Sequence, residues 1–338
     1  MNMKTKYIIA LAAGALALAG CQKNGYDTDY AVGDSVIRFS PMVAHNASAT
    51  KGALINNNDN GDRSDIAFPS DKNFHVTAWT SGIVNPDFGY TKVVSRGSGA
   101  SQYWITVFES GANQGKDREY LWKSGENKTF YAYANLPASG ASVSSTLVSN
   151  KPVQTLKVTT IPATSTAQTD ILLGYYTNGT TPKTNGLVPI KFSHPMTAVK
   201  FKLGTLKRVS TFVINSISIK DVYASGTAVM TQENAAATKP EDRFTWTPTG
   251  KITVSQAIGT QPTKEAPEIG EAFLLIPQIF SSSTALIAIA CTIEGASRTL
   301  YWPLDSGEWK AGYTNTYTIN YEGSIGLYLS SYSDGGIL

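Results

Sequence analysis

Along most of this chain apolar and polar residues alternate with a period of two, the signature of strands that bury one face. The stretch Ser35-Val36-Ile37-Arg38-Phe39-Ser40-Pro41-Met42-Val43 shows it first: Ile37, Phe39 and Val43 fall on one side, Arg38 and Ser40 on the other. Pro41 has no N–H to donate, which places it at an edge or a strand end. The same kind of run predicts strands at Phe74 to Trp79, Tyr103 to Phe108, Thr129 to Ala134, Leu156 to Thr159 and Asp170 to Tyr175. Further on it predicts strands at Val188 to Phe192, Ala198 to Leu203, Phe212 to Val222, Phe244 to Trp246, Glu271 to Ile276, Leu286 to Ile293, Thr299 to Trp302 and Thr314 to Tyr321. Gly, Asn, Ser and Pro fill the gaps between them. Glu233 to Ala237 carries a single helical turn, and no longer stretch has a 3.6-residue period.

An all-β chain of 338 residues is larger than one core usually organises. Two β-sandwiches in tandem are expected, joined around Asn185 to Pro189, where a Gly- and Thr-rich stretch precedes a fresh strand. The first would span 34–187, with its opening strand at 35–43 and a loop at 44–70, and the second 188–338, with a tail at 322–338.

Ahead of the first strand the pattern changes. Lys4 and Lys6 precede an apolar body from Ile8 to Leu18, and Leu18-Ala19-Gly20-Cys21 closes it with small residues before a cysteine. This is the layout of a secretory leader over 1–20, too short for the roughly 20 apolar residues of a membrane span. The ending resembles a bacterial lipobox, which implies cleavage before Cys21 and acylation of its thiol and new amino group. Several acyl chains anchor stably, at about 0.8 kcal/mol per buried CH₂. Gln22 follows the cysteine, where an Asp would imply retention at the inner membrane; the expected site is the outer membrane. Residues 21–33 are polar and aperiodic, a tether.

Composition narrows the chemistry. Charged residues are 16% of the chain and the formal net charge is +3, without a Lys/Arg cluster, so no nucleic-acid partner is expected. With Cys21 acylated, Cys291 is the one thiol left, set in an apolar run with no group nearby to lower its pKa. Asn56, Asn58, Asn60 and Gly61 have the spacing of a calcium loop. Its first three ligand positions are neutral, and Ala67 stands where a bidentate Glu is needed. His45, His75 and His194 share no metal-ligand spacing. There is no G-x-S-x-G elbow, and Gly111 to Asp117 has the wrong spacing for a phosphate loop. Neither a cofactor, a metal nor a catalytic site is expected. The six tryptophans could line a glycan platform, but on strand patterns such residues are more often core.

Four pieces together resemble one family. Trp122-Lys123-Ser124-Gly125 is followed by Phe130-Tyr131-Ala132-Tyr133-Ala134-Asn135-Leu136-Pro137. Asp170-Ile171-Leu172-Leu173 is followed by Ile190-Lys191-Phe192-Ser193-His194-Pro195-Met196-Thr197. Leu274-Leu275-Ile276-Pro277-Gln278 ends a strand, and Trp309-Lys310-Ala311-Gly312 precedes Tyr317-Thr318-Ile319. In this order they resemble the fimbrillins of Bacteroides-type bacteria, the subunits of type V pili. The resemblance implies transthyretin-like, Greek-key sandwiches and a structural role for His194. It also implies export as a lipoprotein, then a protease cut after a basic residue in the loop behind the first strand. That cut releases the strand, and a neighbour's C-terminal tail fills the groove. Lys51 occupies the position of the cut, where the family more typically has arginine; Arg63 is the alternative. In the tail, Ile325, Leu327 and Leu329 face one way and suit the pocket of Ile37, Phe39 and Val43, although a strand within the chain's own fold is equally compatible. The implied partners are other fimbrillin subunits, a processing protease, the outer-membrane lipid layer and a host or bacterial surface ligand. The rival readings are an anchored glycan- or ligand-binding lipoprotein that never polymerises and, within the family, a tip or anchor subunit that keeps one of the two exchange features and lacks the other.

A Cys21→Ser chain expressed in its own cell type is expected to lose all incorporation of labelled palmitate; retained label would exclude Cys21 as the acylated residue.

Overall fold

The computed structural model describes residues 34–44, 66–179, 186–264, 266–281, 284–323 and 325–333. Nearly every segment that alternates in sequence is extended in space, and the described strands form an all-β sandwich architecture. The largest sheet has ten strands, in the order Leu187–Val188, Arg38–Phe39, Tyr103–Thr106, Phe88–Arg96, Asn73–Thr80, Lys128–Ala134, Leu172–Thr177, Lys191–Ser193, Met42–Val43 and Ile66–Ala67. Its two ends are built from the same two stretches, 38–43 and 187–193, so the sheet curls round and closes on them. Its interior is aromatic: Phe39, Phe68, Phe74, Phe130 and Phe192 are buried with Val76, Trp104 and Trp122.

The second layered unit has a six-stranded and a four-stranded sheet. The long strand Phe212–Met230 is the spine of the six-stranded one. It pairs with Leu286–Ile293 and Lys151–Val158 along one edge and with Thr245–Ala257 along the other. Ala141–Val148 and Ala296–Pro303 are the outer strands. The four-stranded sheet runs Glu268–Leu275, Thr197–Leu206, Thr314–Tyr321, Ile325–Ser333. Ile217, Ile219, Ile287 and Ile289 from the six-stranded sheet share one buried core with Phe201, Phe273, Tyr317 and Ile319 from the four-stranded one.

The strand expected at Val188 to Phe192 as the opening of the second half belongs instead to the closed sheet, where it pairs in parallel with the first strand. The change of sheet comes after Ser193. In the opposite sense, the hairpin of Ala141–Val148 and Lys151–Val158 crosses over to the six-stranded sheet, pairing Gln154 to Val158 with Gly226 to Met230. Ser149 and Asn150 both have positive φ, the backbone of a type I′ turn whose twist matches that of the strands. The expected helical turn is the short helix Gln232–Ala235, capped by the Thr231 hydroxyl, which accepts from the Asn234 N–H.

Buried phenols tie the two units together. The Tyr131 hydroxyl donates to the Pro152 carbonyl at 2.8 Å, and burial raises its pKa far above the ordinary value. Burial likewise pushes Tyr175 up to about 12. A phenol with a raised folded pKa adds stability that is complete below its unfolded pKa near 10 and is lost as pH rises through the folded value. The urea midpoint is therefore expected to fall between pH 9 and pH 12, and to fall less in Tyr131→Phe. A midpoint flat across that range would contradict this role.

Candidate functional site

The closed sheet depends on residues 34–44, which lie as an extended filler between two walls. One wall is 186–192. The N–H groups of Arg38, Ser40, Met42 and Ala44 donate to the carbonyls of Gly186, Val188, Ile190 and Phe192 at 2.9, 2.9, 2.8 and 2.8 Å. The register is parallel, with Arg38 opposite Leu187 and Val43 opposite Phe192. The other wall is composite: Leu121–Trp122 pairs with Ser35–Val36, Trp104 with Phe39, and Ile66–Ala67 with Met42–Val43, all antiparallel. Even-numbered donors face the first wall, so Pro41 stands where that ladder needs no N–H. Its carbonyl accepts from Phe68 on the other side at 3.2 Å.

Because side chains alternate across a strand, Ile37, Phe39 and Val43 all point inward, and they are 2%, 2% and 1% exposed. Phe39 meets the rings of Phe74 and Phe130 edge-on at 5.9 and 6.2 Å. Gly186 makes the close approach feasible, since a Cβ there would collide with the Val36 carbonyl. Gly174 lies under Ile190 and Phe192, where a Cβ would be 2.7 Å from the Ile190 side chain. Outside the groove, Arg38 sits over the Tyr103 ring at 4.8 Å and 3.6 Å from Glu119.

The Asp34 end of the groove is bounded by two turns. The Asp34 carboxylate accepts from the Ser124 N–H at 3.1 Å. Behind that turn lies Lys128, whose side chain is 3% exposed and whose ammonium donates to Thr80, Asp87 and Glu126 at 2.7, 2.6 and 2.8 Å. Three donors thus meet three acceptors, which satisfies a buried cation. The Lys128 contacts tie down the turn between Thr80 and Asp87, and this turn presents Ile83 and Val84 to solvent at 53% and 74% exposure.

Cys21, Lys51 and Arg63 lie outside the described residues. The backbone of Ile325, Leu327 and Leu329 lies in Ile325–Ser333, paired antiparallel with Thr314–Tyr321 of the same chain, with Leu327 opposite Ile319. The tail is thus the edge strand of the four-stranded sheet, a different sheet from the one that holds 35–43. His194 is buried with its Nδ1 2.9 Å from Asp170 Oδ1. The Cys291 thiol is buried and burial pushes its pKa up. Trp79, Trp104, Trp122 and Trp309 are buried, and Trp246 and Trp302 pack against the core, so none forms an open stacking platform. Among the described residues no group of three or more His, Cys, Asp or Glu could hold a metal ion. The wall at 186–192 and Phe68 were not anticipated as groove residues. Gly186, standing directly before the strand Leu187–Val188, is the signal that could have marked the wall.

The fimbrillin-like family model matches residues 49–331. No curated protein matches the chain in sequence. Among solved structures, the chain is similar to a candidate cell adhesion protein from Bacteroides ovatus, with a TM-score of 0.53 at 14% identity, covering 90% of this chain and 99% of that one. It is also similar to a candidate cell adhesion protein from Bacteroides uniformis, with a TM-score of 0.52 at 12% identity over 89% and 98% of the two chains. At such identities these likenesses concern the fold.

Truncating Phe39 to Ala is expected to cost about 3–5 kcal/mol of unfolding free energy, read from urea denaturation, because the ring's pocket is closed on all sides. A cost below about 1 kcal/mol would mean that the groove collapses readily and does not depend on its filler.

Proposed function

The chain belongs to the fimbrillin-like family, and from that premise we propose that it is a non-enzymatic structural subunit of a type V pilus. On this reading it is exported as a lipoprotein acylated at Cys21. It reaches the cell surface at the outer membrane and is cut after Lys51 or Arg63. Once cut, residues 35–43 are held only by non-covalent contacts. A neighbouring subunit then replaces them with its own tail strand, and the polymer contributes to adhesion.

The observation that carries the reading is the way 35–44 is held. It contributes three large apolar side chains, each worth roughly 1.5–3 kcal/mol of burial, and a run of backbone hydrogen bonds. Removing it would leave an aromatic slot and a row of unpaired carbonyls on 186–192, the two features that strand addition satisfies. The tail strand Ile325–Ser333 has nine residues, matching 35–43 in length, and carries Ile325, Leu327 and Leu329 at alternate positions. As an edge strand it breaks only one ladder on leaving its own sheet.

Limited digestion of the purified precursor with a Lys/Arg-specific protease, followed by mass and assembly state, tests the scheme. Cutting at Lys51 or Arg63 is expected to release the 35–43 segment and yield oligomers. Leu327→Asp is expected to leave a folded monomer that does not assemble. If the cut chain keeps 35–43 and stays monomeric, the subunit reading fails, and the anchored ligand-binding lipoprotein takes its place.

A further inference from the structure

If the tail of one subunit fills the groove of the next, the two bodies must touch. Tyr321 ends one strand and Ile325 begins the next, so only Glu322, Gly323 and Ser324 lie between body and donor. Three extended residues reach about 10 Å. With Ile325–Ser333 as the donor, nine residues for the nine of 35–43, only those three residues separate donor from body. The neighbour's body must therefore press against whichever end of the groove its tail enters.

The two ends differ. At the Ala44 end, Met42 to Ala44, Phe68 and Ile190 to Ser193 present no large exposed apolar side chain. At the Asp34 end, Ile83 and Val84 project from a turn that is held rigid, and Leu187 is 46% exposed beside the Val36–Gly186 contact. The projecting turn is linked to the groove mouth by consecutive bonds. The Ser81 N–H donates to the Asn127 carbonyl at 2.9 Å, the Trp122 indole donates to the Glu126 carbonyl at 3.0 Å, and Ser124 is bonded to Asp34. Two adjacent aliphatic residues on a turn fixed by a buried lysine are an unusual way to meet water, and an apt way to meet a protein surface.

The donor side offers a counterpart. At the root of the tail, Tyr321 packs on Phe212 with ring centroids 5.4 Å apart, and the adjoining Val213 is 38% exposed. We infer that, resting on the strand-exchange reading, Ile83 and Val84 at the Asp34 end of one subunit form a docking surface for a second copy of this chain. The copy docks through the Phe212, Val213 and Tyr321 face at the root of its tail. This contact sets the polarity of insertion: the tail enters beside Asp34 and runs in the same direction as the strand it replaces, in parallel with 186–192. Because the two patches differ and lie on different parts of the chain, the contact is head-to-tail. Such a contact extends into a filament unless its rotation closes a ring.

The test separates docking from strand insertion. The protease-cut subunit carrying Ile83→Asp and Val84→Asp is offered, first, a fluorescent synthetic peptide of residues 322–338 and, second, cut wild-type subunits. The peptide is expected to bind the variant within about twofold of wild type, while filament yield falls at least tenfold. Equal filament yield would overturn the docking surface and leave strand exchange standing. Failure of the peptide to bind wild-type subunits would overturn strand exchange itself, and the inference with it. Should the charged variant not fold, cut Ile83→Cys and Val213→Cys subunits are mixed and oxidised. A disulfide-linked pair of the two chains is expected, and its absence in assembled material would overturn the contact.

Discussion

Everything in the closed sheet leans on one constraint, the insertion of residues 35–44 between a parallel wall at 186–192 and a composite antiparallel wall. Parallel neighbours normally need a crossover of a dozen residues or more between them; here the intervening chain is most of the sheet. The filler is thus the first of this sheet's strands in sequence and pairs at both of the sheet's ends. Its four N–H donors satisfy carbonyls that would otherwise be edge groups, and its three inward side chains complete the aromatic interior. A strand in that position is covalently continuous with the chain and yet joined to its walls only by contacts that any strand of similar pattern could supply.

The second unit has a core that residues 35–44 do not enter. The second core has its own sheets and its own spine in Phe212–Met230, reinforced by the hairpin at 141–158 contributed from the earlier half of the chain. That hairpin carries Leu156 and Val158 into the second core, while Tyr131 on the closed sheet bonds to Pro152 within it. The two units are thereby clamped at a point distant in sequence from 35–44. The buried Lys128 joins two turns in the same spirit, its ammonium meeting Thr80 and Asp87 at the ends of one and Glu126 in the other.

Much of this was legible in the residues. The alternation of Ile37, Phe39 and Val43 identified the filler and its buried face, and Gly, Asn and Pro marked most of the turns. Leu286 to Ile293 and Thr314 to Tyr321 coincide with observed strands. What periodicity could not carry was partnership. Val188 to Phe192 reads as a strand wherever it goes, and only its parallel pairing with 38–43 assigns it to the closed sheet. Ala141–Val148 is rich in Ser and has little apolar contrast, so it passed as a loop. Phe88–Arg96 has a Gly and two charges that blur its alternation. The tail illustrates the same limit, since alternation alone does not say which strand it pairs with, and only its register with Thr314–Tyr321 assigns it to the four-stranded sheet. Lys128 gave little local signal either, because beside the nearby Glu126 two of its three partners, Thr80 and Asp87, lie more than forty residues earlier.

The central claim is that 35–43 is a place-holder, and the chain terminus of the assembled protein decides it. N-terminal sequencing of subunits taken from surface filaments should begin at Gly52 or Ser64, with the 35–43 stretch absent and amide exchange at 186–192 still slow because a second chain's strand covers it. Subunits beginning at an acylated Cys21, with 35–43 intact and protected in its groove, would contradict the account.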